Sequence, residues 1–167
     1  MSHPVLAAIR SWLTTQGVPF DERNHAPTYT SEESAAARGE ALNTGGKALL
    51  LRCDRTFGLF VLPADRKLDS AAIRKTIACK KLRFATPEEL KEQTGLVPGC
   101  VPPFGEPILP YALHVDSAIL ENDKIAFNAG SLTDSIIMQV ADYLRVAQPV
   151  RTFEFSALRT DAGPSVL

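Results

Sequence analysis

The spacing of apolar residues predicts helices along the chain. Residues 3–16 carry apolar side chains at helical spacing and are predicted to form an amphipathic helix that stops at Gly17. Thr30 followed by Glu33 has the pattern of a capping box, and the alanine-rich segment 34–38 is predicted to continue as helix. The same signals predict three later helices: after Asp69, from Thr86 to Gly95, and over 140–146.

Short apolar runs between these helices predict strands. Residues 47–53 and 57–62 are almost continuously hydrophobic and are joined by the polar residues 54–56, which indicates a hairpin buried on both faces. Further strands are predicted over 111–116, 124–128 and 135–138. Because strands and helices are mixed without regular βαβ alternation, the predicted class is α+β with a central mixed sheet or barrel.

Length and composition are those of one globular domain over residues 1–167, with a peripheral tail from about residue 151 that frays from Arg159 on. The hydrophobic content is 45% and the charged content 22%, both ordinary for a soluble protein. No apolar run is long enough to cross a bilayer, and the N-terminus lacks the pattern of a secretory signal. The expected location is therefore the cytoplasm.

Charge and cysteine content exclude several classes of protein. The net charge of −1 argues against a protein that grips duplex DNA over a wide basic face. A solvated helix face is the simpler explanation of a local basic cluster over residues 74–83, and contacts with a few phosphates are the alternative. Three cysteines without a CxxC pair indicate neither a disulfide framework nor a zinc site.

The segment 94–105 is unusual because three glycines and three prolines fall within twelve residues that carry no charge. Proline fixes φ, and glycine allows close approach of a ligand, so the backbone of this loop is shaped in advance. Four apolar residues can anchor it to a core: Leu96, Val97, Val101 and Phe104. The composition fits a rigid binding loop and equally a stiff connection between elements.

Familiar catalytic patterns are missing from the sequence. It contains no GxGxxG, GxxxxGK[ST], GxSxG or HExxH, and with three histidines a histidine-rich metal centre is not expected. Cys100 is expected to be a small buried thiol rather than a nucleophile. Lys47, at the start of an apolar strand, could project into a cleft, although a lysine with a packed stem and a solvated amine is the simpler explanation.

Four short motifs in order give a more specific result. They are His25 with Pro27 and Thr30–Glu33, Lys47 leading three leucines after Ala48, Pro98–Phe104, and Phe127–Ser131. This set resembles the YbaK/prolyl-tRNA-editing domain family over roughly residues 1–150. The resemblance implies a mixed, barrel-like central β-sheet flanked by helices. It also implies a trans-editing deacylase that hydrolyses the ester of mischarged aminoacyl-tRNA and needs no metal or cofactor.

The resemblance also implies roles for individual residues. Lys47 would hold the terminal adenosine or its phosphate and orient the ester, and the GxxxP loop that begins at Gly99 would line the pocket, so these two residues are the predicted catalytic pair. The predicted substrate-binding residues are His25, Thr30, Pro98, Cys100, Val101, Pro103, Asn128, Gly130 and Ser131. An aminoacyl ester is already activated, so positioned water and hydrogen-bond donors for the oxyanion suffice.

The sequence predicts a range of substrates and partners rather than a single one. The turn Asn128–Ser131 departs from the histidine-bearing turn of some alanine-specific members, so the expected substrates are tRNAs carrying Ala, Ser, Cys, Thr or a small non-protein analogue. The expected partner is the acceptor end of aminoacyl-tRNA, with an aminoacyl-tRNA synthetase as a candidate second partner and no membrane. Two alternatives remain: a non-catalytic module that binds aminoacyl-tRNA or a synthetase, and an interaction protein that presents its proline-rich loop.

Overall fold

A computed structural model describes residues 4–159 of the chain. This range contains five helices, α1 to α5 in chain order: Pro4–Thr15, Ser31–Arg38, Ser70–Ile77, Pro87–Thr94 and Val140–Ala147. It contains ten strands, β1 to β10: Asp21–Asn24, Gly46–Cys53, Thr56–Pro63, Arg66–Leu68, Leu82–Phe84, Ala112–Asp116, Lys124–Asn128, Asp134–Gln139, Arg151–Phe153 and Ser156–Leu158. None of the helices in this range is long and apolar enough to cross a membrane.

Helix starts follow the local sequence signals. The hydroxyls of Thr30 and Thr86 accept hydrogen bonds from backbone N–H groups in the first turns of α2 and α4. At α4 the predicted capping box is complete, because the Glu89 carboxylate accepts from the Thr86 N–H. At α2 the box is only half formed. The Glu33 carboxylate reaches one residue farther back than predicted and accepts from the Tyr29 N–H.

Two sheets form the centre of the molecule. One has the strand order β5-β2-β3-β6-β9, in which β2 is antiparallel to β3 and β5 while β6 is parallel to β3 and β9. The other is antiparallel with the order β1-β8-β7. A parallel bridge between Gly45 and Ala126 connects the start of β2 to β7, so the two sheets partly close on each other. The predicted mixed, barrel-like α+β fold is confirmed.

The main core packs α1 and α5 against both sheets and against the proline-rich loop. Phe104 lies inside this core, with the ring centroids of Trp12, Phe127 and Tyr143 between 5.1 and 5.5 Å from its own. The contacts with Trp12 and Phe127 are edge-on, an arrangement that stabilises beyond the burial of area alone. The core thus holds the loop rigidly from its C-terminal side.

The anchors of the loop are mostly as predicted. Leu96, Val101 and Phe104 are buried, whereas Val97 is 43% exposed, so its predicted anchoring role is wrong. The chain turns at Val97, where the carbonyl accepts from the Cys100 N–H, and this turn points the Val97 side chain outward. Pro102 and Pro103 are buried, which a proline-rich ligand for a partner could not be.

The end of the described chain is part of the fold, contrary to the predicted peripheral tail. β9 pairs with β6, and β10 pairs with β4. Between them, Phe155 is fully buried and packs against Phe60 and Phe153. The Phe155 N–H donates to the buried Asp116 carboxylate. Strands of three residues are too short to show an alternating pattern, which is why the sequence did not reveal them.

The predicted fraying from Arg159 on can be examined at one residue only. Arg159 forms an ion pair with Glu32 at 2.9 Å and donates to the Ala64 carbonyl, so its side chain is held. Residues 160–167, and residue 3 at the start of the predicted first helix, lie outside the described residues.

A disulfide joins Cys53 to Cys79, a pairing that the number and spacing of the cysteines did not indicate. The two cysteines are 26 residues apart, with Cα atoms 5.8 Å from each other. Pairing of β2 with β5 brings together the end of β2 and the turn after α3, a proximity that spacing along the chain does not reveal. Cys100 is free and buried.

Candidate active site

A cavity of about 420 Å³ lies in the gap that the two sheets leave between them. One edge of β2 is paired with β3 along its full length. On its other edge, β5 pairs only with Leu51–Cys53, and the bridge at Gly45 ties the strand start to β7. Among the described residues, no strand covers this edge over residues 47–49, and the cavity lies there.

Helix α2 presents a polar face to the cavity. Ser31, Ser34 and Arg38 stand three and four residues apart, which places them on one face of the helix. All three line the cavity and are buried. Because the buried face of a helix is normally apolar, a face of two serines and an arginine indicates a wall suited to a polar ligand.

Lys47 is the second residue of β2 and lines the cavity, half-buried. Burial lowers the pKa of its ammonium, and the charge of Arg159 lowers it further, whereas the carboxylates of Glu32 and Asp65 act in the opposite direction. A partly desolvated ammonium interacts more strongly with an oxygen ligand than one in bulk water. The predicted catalytic lysine is therefore partly desolvated, so its charge can interact strongly with the oxygen atoms of a bound ester.

The open edge of β2 also turns backbone groups toward the cavity. The Leu50 carbonyl accepts from the Ala85 N–H at 2.9 Å, on the side of β5. The Asp54 N–H donates to the Lys81 carbonyl at 2.8 Å on the same side. Backbone groups alternate between the two edges of an antiparallel strand, so those of Ala48 point to this edge as well. Ala48 lines the cavity, and its N–H can donate to a ligand oxygen.

The proline-rich loop supplies another part of the lining through Pro98, Gly99 and Val101. Gly99 has φ +89°, a left-handed conformation that favours glycine. The side-chain amide of Asn128, at the end of β7, donates to the Gly99 carbonyl at 2.7 Å. Since Asn128 also lines the cavity, the predicted loop and the predicted facing turn meet there.

Arg38 is the centre of the hydrogen-bond network behind this contact. Its Nε donates to Ser135 Oγ at 2.9 Å, and its Nη2 donates to Asn128 Oδ1 at 2.8 Å. His25 joins the network, with Nε2 lying 2.8 Å from Ser135 Oγ. Burial lowers the pKa of Arg38 to about 10, so the guanidinium is charged at neutral pH. No carboxylate within residues 4–159 pairs with it, and its charge is thus directed to neutral partners and the cavity.

Six predicted site residues do not line the cavity in the part of the chain that the structure describes: His25, Thr30, Cys100, Pro103, Gly130 and Ser131. Thr30 caps the helix that carries the polar wall. The Cys100 carbonyl accepts from the Gly130 N–H at 2.9 Å, which holds the loop against the turn. Burial raises the pKa of the Cys100 thiol, so it stays protonated at neutral pH and is a poor nucleophile.

The remaining two residues have similar supporting positions. The Pro103 carbonyl accepts from the buried Tyr143 hydroxyl at 2.8 Å. Ser131 Oγ lies 2.9 Å from an oxygen of the Asp134 carboxylate and closes the turn after β7. Direct contact of these six residues with the substrate stays a prediction. Their positions favour a role in shaping the proline-rich loop and the turn that faces it.

Reasoning from the sequence missed several residues of the lining. The sequence alone predicts Arg38 at the end of a helix and Ser34 within it, and it assigns neither residue to the site. One signal was present: α2 has no apolar stripe, yet a short helix must bury one face. Ala48 contributes backbone groups, and backbone contributions leave no trace in residue type.

One group of described residues has the ligand types of a metal site. Ligand atoms of Cys53, Asp54 and Cys79 lie within 4.8 Å of one another. The disulfide removes both thiolates as ligands, and a single carboxylate does not hold a transition metal. The group lies at the far end of β2 from Lys47.

Comparisons with known proteins identify the family of the chain. The family model of the aminoacyl-tRNA editing domain matches residues 25–146. The multifunctional Ser/Thr-tRNA deacylase ProXp-y of Escherichia coli (strain K12) is 36% identical over 155 residues, covering 89% of this chain and 90% of that protein. A proline–tRNA ligase of Shouchella clausii (strain KSM-K16) is 30% identical over 110 residues, which cover 66% of this chain and 19% of the ligase.

A solved structure described as a candidate trans-editing enzyme for prolyl-tRNA synthetase has the same fold. Its TM-score is 0.80 at 23% identity, with 94% of this chain and 99% of that chain covered. The chain therefore belongs to the aminoacyl-tRNA editing domain family. This membership confirms the predicted family and the predicted class of function, aminoacyl-tRNA editing.

Proposed function

We propose that this chain hydrolyses the ester that joins serine or threonine to the terminal adenosine of a mischarged tRNA. The observation that carries the proposal is the cavity in which Lys47, the Gly99 loop and the Arg38–Asn128 network meet. The similarity to a Ser/Thr-tRNA deacylase over 89% of the chain supports the choice of amino acids.

Water is the nucleophile in the proposed reaction. Cys100 is buried and protonated, and Ser135 Oγ is engaged by Arg38 and His25, so neither is placed to attack an ester. Water adds to the ester carbonyl carbon, the bond to the ribose oxygen breaks, and the proton from water ends on that oxygen. The free hydroxyl on the neighbouring ribose carbon can orient the water. The products are the free amino acid and uncharged tRNA.

The protein lowers the barrier through hydrogen-bond donors that are already in place. The Lys47 ammonium would bind the terminal adenosine or its phosphate and hold the ester in place. The Ala48 N–H, at the open strand edge, is positioned to stabilise the oxyanion. The Gly99 backbone would close on the aminoacyl group, fixed by its bond to Asn128.

Polar lining explains a preference for hydroxylated amino acids. Ser31 lies on the cavity wall, and its buried hydroxyl, which has no hydrogen-bond partner among the described residues, can bond with a substrate hydroxyl. A site that binds a hydroxyl in this way rejects the analogue that lacks it. This discrimination is far stronger than that of an apolar pocket between two ligands that differ by one methylene. Alanyl-tRNA should accordingly be a much poorer substrate than seryl-tRNA.

We further propose that the domain acts in trans, on tRNA released by a synthetase in the cytoplasm. The matched deacylase is covered over 90% of its length, whereas the matched ligase carries the similar region as 19% of a longer chain. Action on released tRNA requires no permanent synthetase partner.

The test is deacylation of tRNA charged in turn with Ser, Thr, Ala, Cys and Pro. Release should be fastest for Ser or Thr. Lys47→Ala should reduce kcat/KM by about 10²-fold, because the ester would lose the group that holds it in position. Its control is Lys124→Ala, an exposed lysine at the start of β7, which should keep wild-type turnover. Survival of all five esters, or a Lys47→Ala variant with wild-type activity, would refute the proposal.

A further inference from the structure

An exposed aromatic side chain stands at the mouth of the candidate active site. Phe84, the last residue of β5, lines the cavity and is nevertheless 56% exposed. Its neighbour Ala85 also lines the cavity, beside Leu49 and Leu50 of β2. Exposing more than half of a phenylalanine forgoes the free energy of burying it, so the ring is available as a flat apolar surface for a ligand.

A basic groove begins where this aromatic surface ends. The groove, of about 540 Å³, is lined by five cationic side chains: Arg52, Arg74, Lys80, Lys81 and Arg83. Leu82 and Arg83 of β5 line the groove, and the next two residues line the active-site cavity. At about 3.3 Å per residue, the floor of the groove and the mouth of the cavity are about 10 Å apart along one strand.

Acidic side chains offset only part of this charge. Asp54 lies in the groove, where its carboxylate accepts hydrogen bonds from the backbone N–H groups of Lys80 and Lys81, so one negative charge offsets part of the charge of the five cations. Glu89 forms ion pairs with Arg83 at 2.7 Å and with Arg52 at 3.6 Å. The groove keeps a net positive charge in a chain whose total charge is −1.

We propose that Phe84 and the basic groove bind the unpaired nucleotides that precede the terminal adenosine of the tRNA. One base stacks on the Phe84 ring, the backbone phosphates before it lie over Lys80, Lys81 and Arg83, and the terminal nucleoside enters the cavity. The inference rests on the proposed function, because it assigns the route by which that substrate reaches the site.

The chemistry of the surface favours a single strand over a duplex. An aromatic ring beside a positively charged groove is the usual arrangement for single-stranded nucleic acid, because unpaired bases expose a face that can stack. In a duplex those faces are covered, and binding would need a wide basic surface that the net charge argues against. The groove also lies next to the cavity along β5, where Arg83 of the groove is followed by Phe84 of the cavity mouth.

Fluorescence anisotropy measures binding of the RNA tetranucleotide ACCA, which carries no amino acid. It therefore tests this assignment without a deacylation step. Phe84→Ala should weaken binding by about 5- to 100-fold, the range that alanine substitution gives for one base stacked on an aromatic ring. Tyr29→Ala is the matched control, since Tyr29 is an aromatic residue with 61% exposure outside both cavities. It should bind with wild-type affinity.

Salt dependence tests the groove. Replacing Lys80 and Lys81 by glutamate should weaken binding and reduce the slope of log K against log salt by about 1.4, for two phosphate contacts on a single strand. Arg145 of α5 and Arg151 of β9 are both exposed, and β9 lies at the opposite edge of the five-stranded sheet from β5. The charge-matched control therefore replaces these two arginines by glutamate. It should leave the slope unchanged.

The outcomes separate this inference from the proposed function. Phe84-dependent binding of ACCA without deacylation of any charged tRNA would support the surface and refute the enzyme. Deacylation with unchanged Kd in the Phe84→Ala and lysine variants would support the enzyme and overturn the surface. Equal competition by an RNA hairpin without an unpaired 3′ end, or groove-dependent binding of an acidic protein but not of RNA, would also overturn it.

Discussion

At the residue scale, the side-chain amide of Asn128 connects the two halves of the candidate site. Its oxygen accepts from Arg38 and its nitrogen donates to the Gly99 carbonyl. An amide can form both bonds, whereas a carboxylate can only accept and an ammonium can only donate. The same two bonds fix which way the amide is oriented.

We therefore expect Asn128→Asp to separate stability from activity. The carboxylate keeps the bond with Arg38 and strengthens it by charge, but it repels the Gly99 carbonyl, so the loop should move out of position. The chain should stay folded while kcat/KM falls at least about tenfold, a loss typical of a small misplacement at a reacting centre.

Deacylation rates and thermal unfolding of the same preparation check this expectation. Asn122→Asp, at a pair of exposed asparagine side chains, is the control for the change of charge. Wild-type kcat/KM in Asn128→Asp would mean that the bond to Gly99 has no part in catalysis.

At the scale of elements, the start of β2 is set by the close approach of β7. Gly46 faces Ile125 so closely that a Cβ at Gly46 would lie 2.6 Å from Ile125 Cδ1. Ile125 is fully buried and has little room to shift. Glycine at this position lets the two sheets approach each other immediately before Lys47. Beyond this point the sheets diverge, and the cavity lies between them.

Gly46→Ala should therefore lower the free energy of unfolding by about 1–3 kcal/mol, the usual cost of overpacking a core. It should also reduce activity, because displacing the strand start moves Lys47. Gly58→Ala is the matched control on β3, where the added Cβ would be 3.3 Å from the Phe60 ring. Urea denaturation measures the free energy of unfolding of the two variants. Equal values for Gly46→Ala and Gly58→Ala would contradict this prediction.

At the scale of the whole molecule, the buried His114 predicts a dependence of stability on pH. His114 of β6 is buried and its ring stacks on Phe60 at 4.5 Å. Burial, with a smaller contribution from the charge of Arg151, lowers the pKa of His114 to about 4. In the unfolded chain the pKa returns to about 6.5.

Between pH 6.5 and about 4 the unfolded chain binds a proton at His114 that the folded chain does not. The free energy of unfolding should accordingly fall as the pH is lowered through this window, by about 2 kcal/mol after allowance for partial screening by solvent. Urea titrations at pH 6.5 and 4.5 measure the loss. His114→Gln should flatten it, and an equal loss in that variant would assign the effect to other groups.

The sequence by itself determined the elements whose signals are local. Cap residues, glycine stops and apolar spacing predicted all five helices, and the long apolar runs predicted the central hairpin. Lys47 and the proline-rich loop were recognisable because a charge leading an apolar strand, and a run of glycine and proline, are unusual in composition. The order of the motifs was enough to indicate the family.

Only the tertiary structure decided what lies between these elements. The cavity exists because β5 and β7 cover different parts of one edge of β2, a property of pairing that residue types do not encode. Pairing and long-range packing also decided the polar face of α2, the exposure of Phe84, the Cys53–Cys79 disulfide and the burial of Phe155. Local signals come from neighbours along the chain, whereas these features depend on residues brought together from distant positions.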